Sequence, residues 1–181
     1  RSKAAKNLRI YLEAEAREMS RGTFSDFMTE TTRRIYDLVS SAETHERIGG
    51  IMAIDELIEV PCEDNETKII RFANYLRMVF QQPVVETPTL TYASRALGHL
   101  ARAGGTVTAD FVEFELKRSM DWLQGDPRGE AKRYAAVLVL KELAVNSPVL
   151  FSPLIPTFFD HIWAAIHSDG RPVVREAAVE A

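Results

Sequence analysis

The chain has 181 residues, 46% of them apolar, and a net charge of −4 from 22 Lys and Arg against 26 Asp and Glu. That is enough apolar material for one sizeable core or one run of repeats, and since neither sign is gathered into a block, the composition excludes the concentrated basic face that nucleic acid demands. The single cysteine, Cys62, excludes an internal disulfide and points to a reducing, intracellular setting.

In chain order, the opening "RSKAAKNLRIYLEAEAREM" is amphipathic and charged, unlike a signal peptide. Glycine and proline then punctuate the chain at Gly22, Pro61, Gly104-Gly105, Gly125, Asp126-Pro127, Pro148, Asp169-Gly170 and Pro172. Between them lie periodic segments of roughly 14 to 20 residues, the length of globular helices. Asp126 with Pro127, and Ser152 with Pro153, are read as helix starts, a cap followed by a proline whose missing N–H costs nothing there. "YAAVLVL" is the best strand candidate, but Leu140 and Leu143 continue it at helical spacing, so it is read as a buried helix. The longest purely apolar run, Ala135 to Leu140, is far short of the roughly 20 residues a bilayer span needs, and no direct membrane insertion is expected. The final "SDGRPVVREAAVEA" reads as a helix starting at Pro172 and stopping two turns in.

Three segments superimpose at one offset. "RIGGIMAIDEL", "LTYASRALGHL" and "RYAAVLVLKEL" end at Leu57, Leu100 and Leu143, 43 residues apart each time. Each has a small residue (Gly50, Ala93, Ala136) seven before the final leucine and an apolar one (Ile54, Leu97, Leu140) three before it. Arg175, Ala177 and Ala178 continue the series 42 residues after Arg133, Ala135 and Ala136, and "KAAKNLRIYL" is a less regular earlier copy. A period of about 40 to 47 residues holding two helices is that of HEAT and armadillo solenoids, and Gly or Ala at the crossings lets stacked helices approach closely. "DGRPVVREAA" also matches the HEAT consensus, with Asp169 and Arg175 expected to pair along a ladder between repeats. The expected fold is therefore an all-α HEAT-repeat solenoid over 1–181: an incomplete repeat over about 1–22, helix pairs over 23–61, 65–105 and 107–147, and a truncated repeat over 148–181. Uncapped helices at both ends are expected of a slice of a longer array.

Catalytic chemistry is not legible. No glycine-rich phosphate loop, nucleophile elbow or kinase catalytic loop is present, and no catalytic, cofactor-binding or metal-binding residue is assigned. His45, His99, His161 and His167 are scattered, and Cys62 has no companion thiol. Glu113 and Glu115 diverge on a helix and are read as solvated surface. The sequon "NET" at Asn65 is taken as a chance match, and Thr87-Pro88 is a candidate phosphorylation site in a loop.

What remains is binding surface. On "KIIRFANYLRMVF", Ile69, Phe72, Ala73, Leu76 and Phe80 should face inward, leaving Arg71, Tyr75 and Met78 together on another face. Arg, Tyr and Met are enriched at interfaces, so these three form the candidate partner surface; the competing reading is that Tyr75 and Met78 cover the adjacent repeat. In "FVEFELKRSMDWL", Val112, Leu116, Met120 and Leu123 form one apolar stripe and Phe111, Phe114 and Trp122 a second, read first as packing between repeats.

At "RFANYLR", "VEFELKR" with its "DWL", "AAVLVLKELA", "LVSSAETHERIGGIMAI" and the terminal "REAAVEA", the sequence resembles the N-terminal HEAT array of the target of rapamycin kinases, from about Lys3 to Ala181. It departs from that family at "PVVETPTL" (Pro83 to Leu90) and at Pro153 and Pro156. The resemblance implies a large Ser/Thr kinase parent of the phosphatidylinositol-kinase-related group, with its kinase domain far C-terminal. It further implies a dimeric complex with a second copy of the kinase, a Raptor-type adaptor and, in responsive members, docking of a Rheb-type GTPase. The implied location is cytoplasmic, with recruitment of the parent complex to lysosomal or vacuolar membranes. The alternative is a HEAT adaptor of transport or phosphatase type that shares only the architecture.

Overall fold

The computed structural model describes residues 2–14, 18–82, 85–124 and 129–181, and in them the chain is helical with no strand. The helices are α1 (Ser2–Ala14), α2 (Arg21–Val39), α3 (Thr44–Leu57), α4 (Asn65–Gln81), α5 (Thr87–Gly104), α6 (Ala109–Gln124), α7 (Glu130–Asn146), the single turn α8 (Pro148–Phe151), α9 (Ile155–Ser168) and α10 (Pro172–Glu180). They stack in two layers. One layer runs α1, α3, α5, α7, α10, each helix packed on the next; α2, α4, α6 and α9 form the other, and α2–α3, α4–α5, α6–α7 and α9–α10 are the cross-layer pairs.

Local chemistry sets several starts. Ser20 Oγ accepts from the Thr23 N–H at 3.3 Å ahead of α2, and Asp64 Oδ1 accepts from Thr67 N–H at 3.2 Å ahead of α4, each satisfying a donor the first turn leaves orphaned. Pro172 opens α10. Two expected starts differ. Asp126 and Pro127 lie outside the described residues. Ser152 and Pro153 open a 3-10 turn (Ser152–Leu154), and α9 begins only at Ile155 with Pro156 in its first turn. Two prolines within four residues cannot both sit in one first turn, so the chain tightens through 3-10 geometry before the α-helix resumes. Thr87 likewise is the exposed first residue of α5 rather than a loop residue.

The repeat register is visible in the core. Leu57, Leu100 and Leu143 are fully buried, and so are Ile54, Leu97 and Leu140. The small residues sit where helices meet: a Cβ on Gly50 would come within 2.8 Å of Val39 Cγ2 on α2, while Ala93 and Ala136 are fully buried. Gly98 permits a second close approach, since a Cβ there would lie 2.7 Å from Asn146 Nδ2 and 3.0 Å from Glu142 Cβ on α7. Helix α7 packs against α5, α6 and α10. Burial around most of its circumference is why "YAAVLVL" shows almost no polar face.

Hydropathy hides one feature. The stretch Pro148–His167 has a mean hydropathy of 1.4 and is long and apolar enough to cross a membrane by length and composition, with 22% of it buried. A search for unbroken apolar runs passes over it because Pro148, Ser152, Pro153, Pro156 and Asp160 interrupt it. Phe158, Ile162 and Ala165 pack inward, while Phe159 and Trp163 are 60% and 64% exposed.

Candidate interaction surfaces

The candidate surface on α4 divides in two. Ile69, Phe72, Ala73, Leu76 and Phe80 are all buried as the spacing requires, and Arg71 is exposed. Tyr75 is half-buried against Tyr36 of α2, ring centroids 5.2 Å apart and tilted by 55°. Tyr75 therefore covers the preceding repeat and still shows an edge; burial raises its phenol above the ordinary range. Met78 is half-buried. Arg71, Tyr75 and Met78 do share one side of α4, and Tyr36, 40% exposed, extends it onto α2.

Polar contacts join successive repeats at positions the spacing only partly foretells. Arg47 on α3 donates from Nη1 to Gln82 Oε1 at 2.6 Å and from Nη2 to Glu86 Oε2 at 3.0 Å, while Thr44 Oγ1 donates to Glu86 Oε1 at 2.7 Å. Two periods on, Arg133 holds Asp169 through Nε–Oδ2 at 2.5 Å and Nη2–Oδ1 at 3.2 Å. Between them, one period from each, stands the buried Leu90. The expected Asp169–Arg175 pairing takes another form: Arg133 of the preceding repeat has the carboxylate, and Arg175 Nη1 donates to the Asp169 carbonyl at 2.7 Å. Burial alone would raise the Asp169 carboxyl, but hydrogen bonds from Arg133 and the Arg171 N–H, with the Arg133 and Arg175 charges, hold it below the usual range.

A second cluster lies in the α1–α3–α5 layer. His99 on α5 meets Asp55 Oδ1 of α3 through Nδ1 at 2.8 Å and Glu59 Oε1, two residues past the end of α3, through Nε2 at 3.2 Å. Arg9 of α1 approaches Glu56 at 3.8 Å and Glu59 at 3.9 Å. The Asp55 hydrogen bond, then Glu59 and both carboxylate charges, raise the imidazole above its ordinary value despite partial burial.

The sequence reading missed two buried ionic groups. Lys68 is buried, and its Nζ donates to the carbonyls of Leu57 at 3.0 Å, Ile58 at 3.1 Å and Val60, closing the end of α3, where the helix dipole favours a cation. Burial lowers its ammonium below the ordinary range. Glu115, expected on the surface, is instead 0% exposed. It accepts from Arg77 Nε of α4 at 2.9 Å and from Arg118 Nη2, one turn away on its own helix. Buried carboxylates are kept when paired, and here two guanidiniums share one. Arg77 also stands 4.7 Å from the Phe111 ring centroid and 4.4 Å from that of Phe114; Arg118 stands 4.5 Å from Trp122. The aromatic stripe of α6 is thus a bed for two arginines. The available signal was register: Glu115 falls one turn from Val112 and Ser119, inside the buried stripe.

Among the described residues no group of three His, Cys, Asp or Glu is arranged to hold a metal ion.

No family model matches the chain. It is similar to the serine/threonine-protein kinase tor1 of Schizosaccharomyces pombe, 42% identical over 178 residues, which is 98% of this chain and 8% of that protein. It is similar also to the serine/threonine-protein kinase TOR of Arabidopsis thaliana, 46% identical over 173 residues (96% of this chain, 7% of the relative), and to TOR2 of Saccharomyces cerevisiae, 36% identical over 189 residues (99% and 8%). The chain belongs to the TOR family. It corresponds to a short stretch of those kinases that lies outside their kinase region, and the match decides against an unrelated HEAT adaptor. The two repeats that carry most of the surfaces described, α2 to α5, and the Glu115 cluster on α6 all fall within the matched length.

Proposed function

We propose that this TOR segment is a non-catalytic scaffold, supplying interaction surface through which the parent Ser/Thr kinase assembles its complex. One observation carries the reading: nearly the whole chain matches TOR kinases, yet its described residues form stacked helix pairs with polar surfaces and no catalytic constellation. A Raptor-type adaptor and a second kinase copy are the partners this reading invokes, with a Rheb-type GTPase in responsive members. Arg71, Tyr75 and Met78, extended by Tyr36, form the surface offered to them. The parent complex acts in the cytoplasm and on lysosomal or vacuolar membranes in this reading.

The test uses the full-length parent kinase carrying Arg71→Glu with Tyr75→Ala. Arg71 is exposed and Tyr75 half-buried, so the variant should fold. Loss of adaptor co-purification, or of calorimetric heat with the GTP-loaded but not the GDP-loaded GTPase, is the expected result. A folded variant that retains every partner sinks the assignment of this surface.

A further inference from the structure

The groove between α4 and α6 holds a second, differently built site, on the side of α4 away from Tyr36. It contains a cleft of about 340 Å3 lined by Ile70, Asn74, Arg77, Val107, Phe111 and Phe114, among others, within the range of about 300–1,000 Å3 that ligand sites occupy. Its rim is apolar and open: Ile70 is 45%, Val107 42% and Phe114 48% exposed. On its inner wall the Arg77 guanidinium lies over both the Phe111 and the Phe114 ring. Glu115 fixes the inner edge of that guanidinium through Nε, and its two Nη groups meet no acceptor among the described residues. A guanidinium oriented in this way, with its fork open, is preorganised for a planar anion.

Charge balance points the same way. Glu115 is one carboxylate shared by two arginines, and Arg118, behind the cleft, keeps Nε and Nη1 buried without a hydrogen-bond partner. The buried Arg77–Glu115–Arg118 cluster therefore carries one net positive charge, and Arg77 is its member that reaches the cleft. Asp110, exposed in the first turn of α6, also lines the cleft. It repels a dianion more strongly than a monoanion, so a carboxylate suits the cleft better than a phosphate. Asn74 adds an amide able to give and take hydrogen bonds with an extended backbone.

We propose that the α4–α6 cleft docks a partner-protein segment in which a carboxylate is flanked by bulky apolar side chains, the carboxylate meeting the open fork of Arg77 and the apolar groups resting on Ile70, Val107 and Phe114. This goes beyond the scaffold reading and does not depend on which complex the parent joins, since it concerns a separate face of α4.

The test measures binding of short fluorescein-labelled peptides to the full-length parent kinase by polarisation. The peptides carry a central glutamate flanked by every pairing of Phe, Leu, Ile and Trp, beside glutamine and phosphoserine counterparts. At least one glutamate peptide should bind about tenfold more tightly than its glutamine twin, the scale of one charge-assisted contact. Phe114→Ser and Ile70→Ser, both at partly exposed positions, should each weaken it several-fold, as should Arg77→Lys, which keeps the charge and loses the fork. Absence of binding by every glutamate peptide, equal binding by the glutamine set, preference for phosphoserine, or indifference to both Phe114→Ser and Ile70→Ser overturns the proposal.

Discussion

The two helix layers are built by different physics. Between α5 and α7 the contact is made by what is missing: Gly98 leaves room for α7 to approach, and Leu97, Leu100, Leu140 and Leu143 fill the interior completely. Between α4 and α6 the space is filled by long side chains, Arg77 and Arg118 laid over Phe111, Phe114 and Trp122 and tied to Glu115. Arginine–aromatic packing leaves donors, ring edges and a cleft. The close-packed layer is polar at its outer face, where Arg95, His99 and Arg102 of α5 line a cleft of about 440 Å3 with Asp55, Glu142 and Asn146.

The sharpest way to break that contrast is to remove its one buried carboxylate. Glu115→Ala leaves Arg77 and Arg118 facing each other without a counter-ion, and breaking a buried pair this way costs about 3–5 kcal/mol. Thermal or denaturant unfolding should register that loss. A variant as stable as the parent would mean that the two guanidiniums find water instead, and that the α4–α6 groove is not closed by charge. In the other layer, Leu97→Ala removes fully buried methyl groups and should cost about 2–5 kcal/mol, depending on how far α5 and α7 relax together. Overpacking probes the small-residue position that Ala136 shares in register with Gly50. Ala136 is fully buried, and Ala136→Leu should cost about 1–3 kcal/mol by forcing helices apart. If Ala136→Leu is neutral, α7 has slack on that face and the role given to small residues fails.

The contrast also explains which parts could be read from sequence. The close-packed layer repeats: Leu57, Leu100 and Leu143 recur because each repeat must present the same shape to its neighbour, and periodicity is what a single sequence displays best. Ionic filling does not repeat. Arg47 and Arg133 stand two periods apart, but Leu90 occupies the position between them, so no ladder is apparent until Gln82, Glu86 and Asp169 are seen in place. Glu115 reads as surface by residue type, although its register beside Val112 and Ser119 places it in the buried stripe; its partner Arg77, 38 residues away on another helix, leaves no local sign. Tyr75 shows the middle case. Helical spacing put it on the same side as Arg71 and Met78, while its contact with Tyr36 depends on how α2 and α4 pack. The start of α9 differs from the expected one for a local reason: sequence marks prolines without saying which of Pro153 and Pro156 will sit in the first α-turn.

The smallest expected effect concerns how adjacent repeats are joined where neither close packing nor burial dominates. His99 reaches from α5 to Asp55 on α3 and to Glu59 just past its end, and Arg9 of α1 and Arg102 of α5 act on Glu59 in turn. The carboxylates raise its pKa above the unfolded value of about 6.5. Folding thus favours the protonated ring, so the stabilisation is complete below that unfolded value and disappears as pH rises through the folded one. The α3–α5 junction should accordingly melt at a lower temperature at pH 8 than at pH 6, and His99→Gln, which cannot gain the charge, should flatten that difference. Acid protonation of Asp169 cannot imitate the effect, because its carboxyl is held below the usual range and its contribution is lost only as pH falls well under the window used. An unaltered pH dependence in His99→Gln would show that the two carboxylates hold a neutral ring, leaving the junction to the apolar core that Ile54 and Leu97 share.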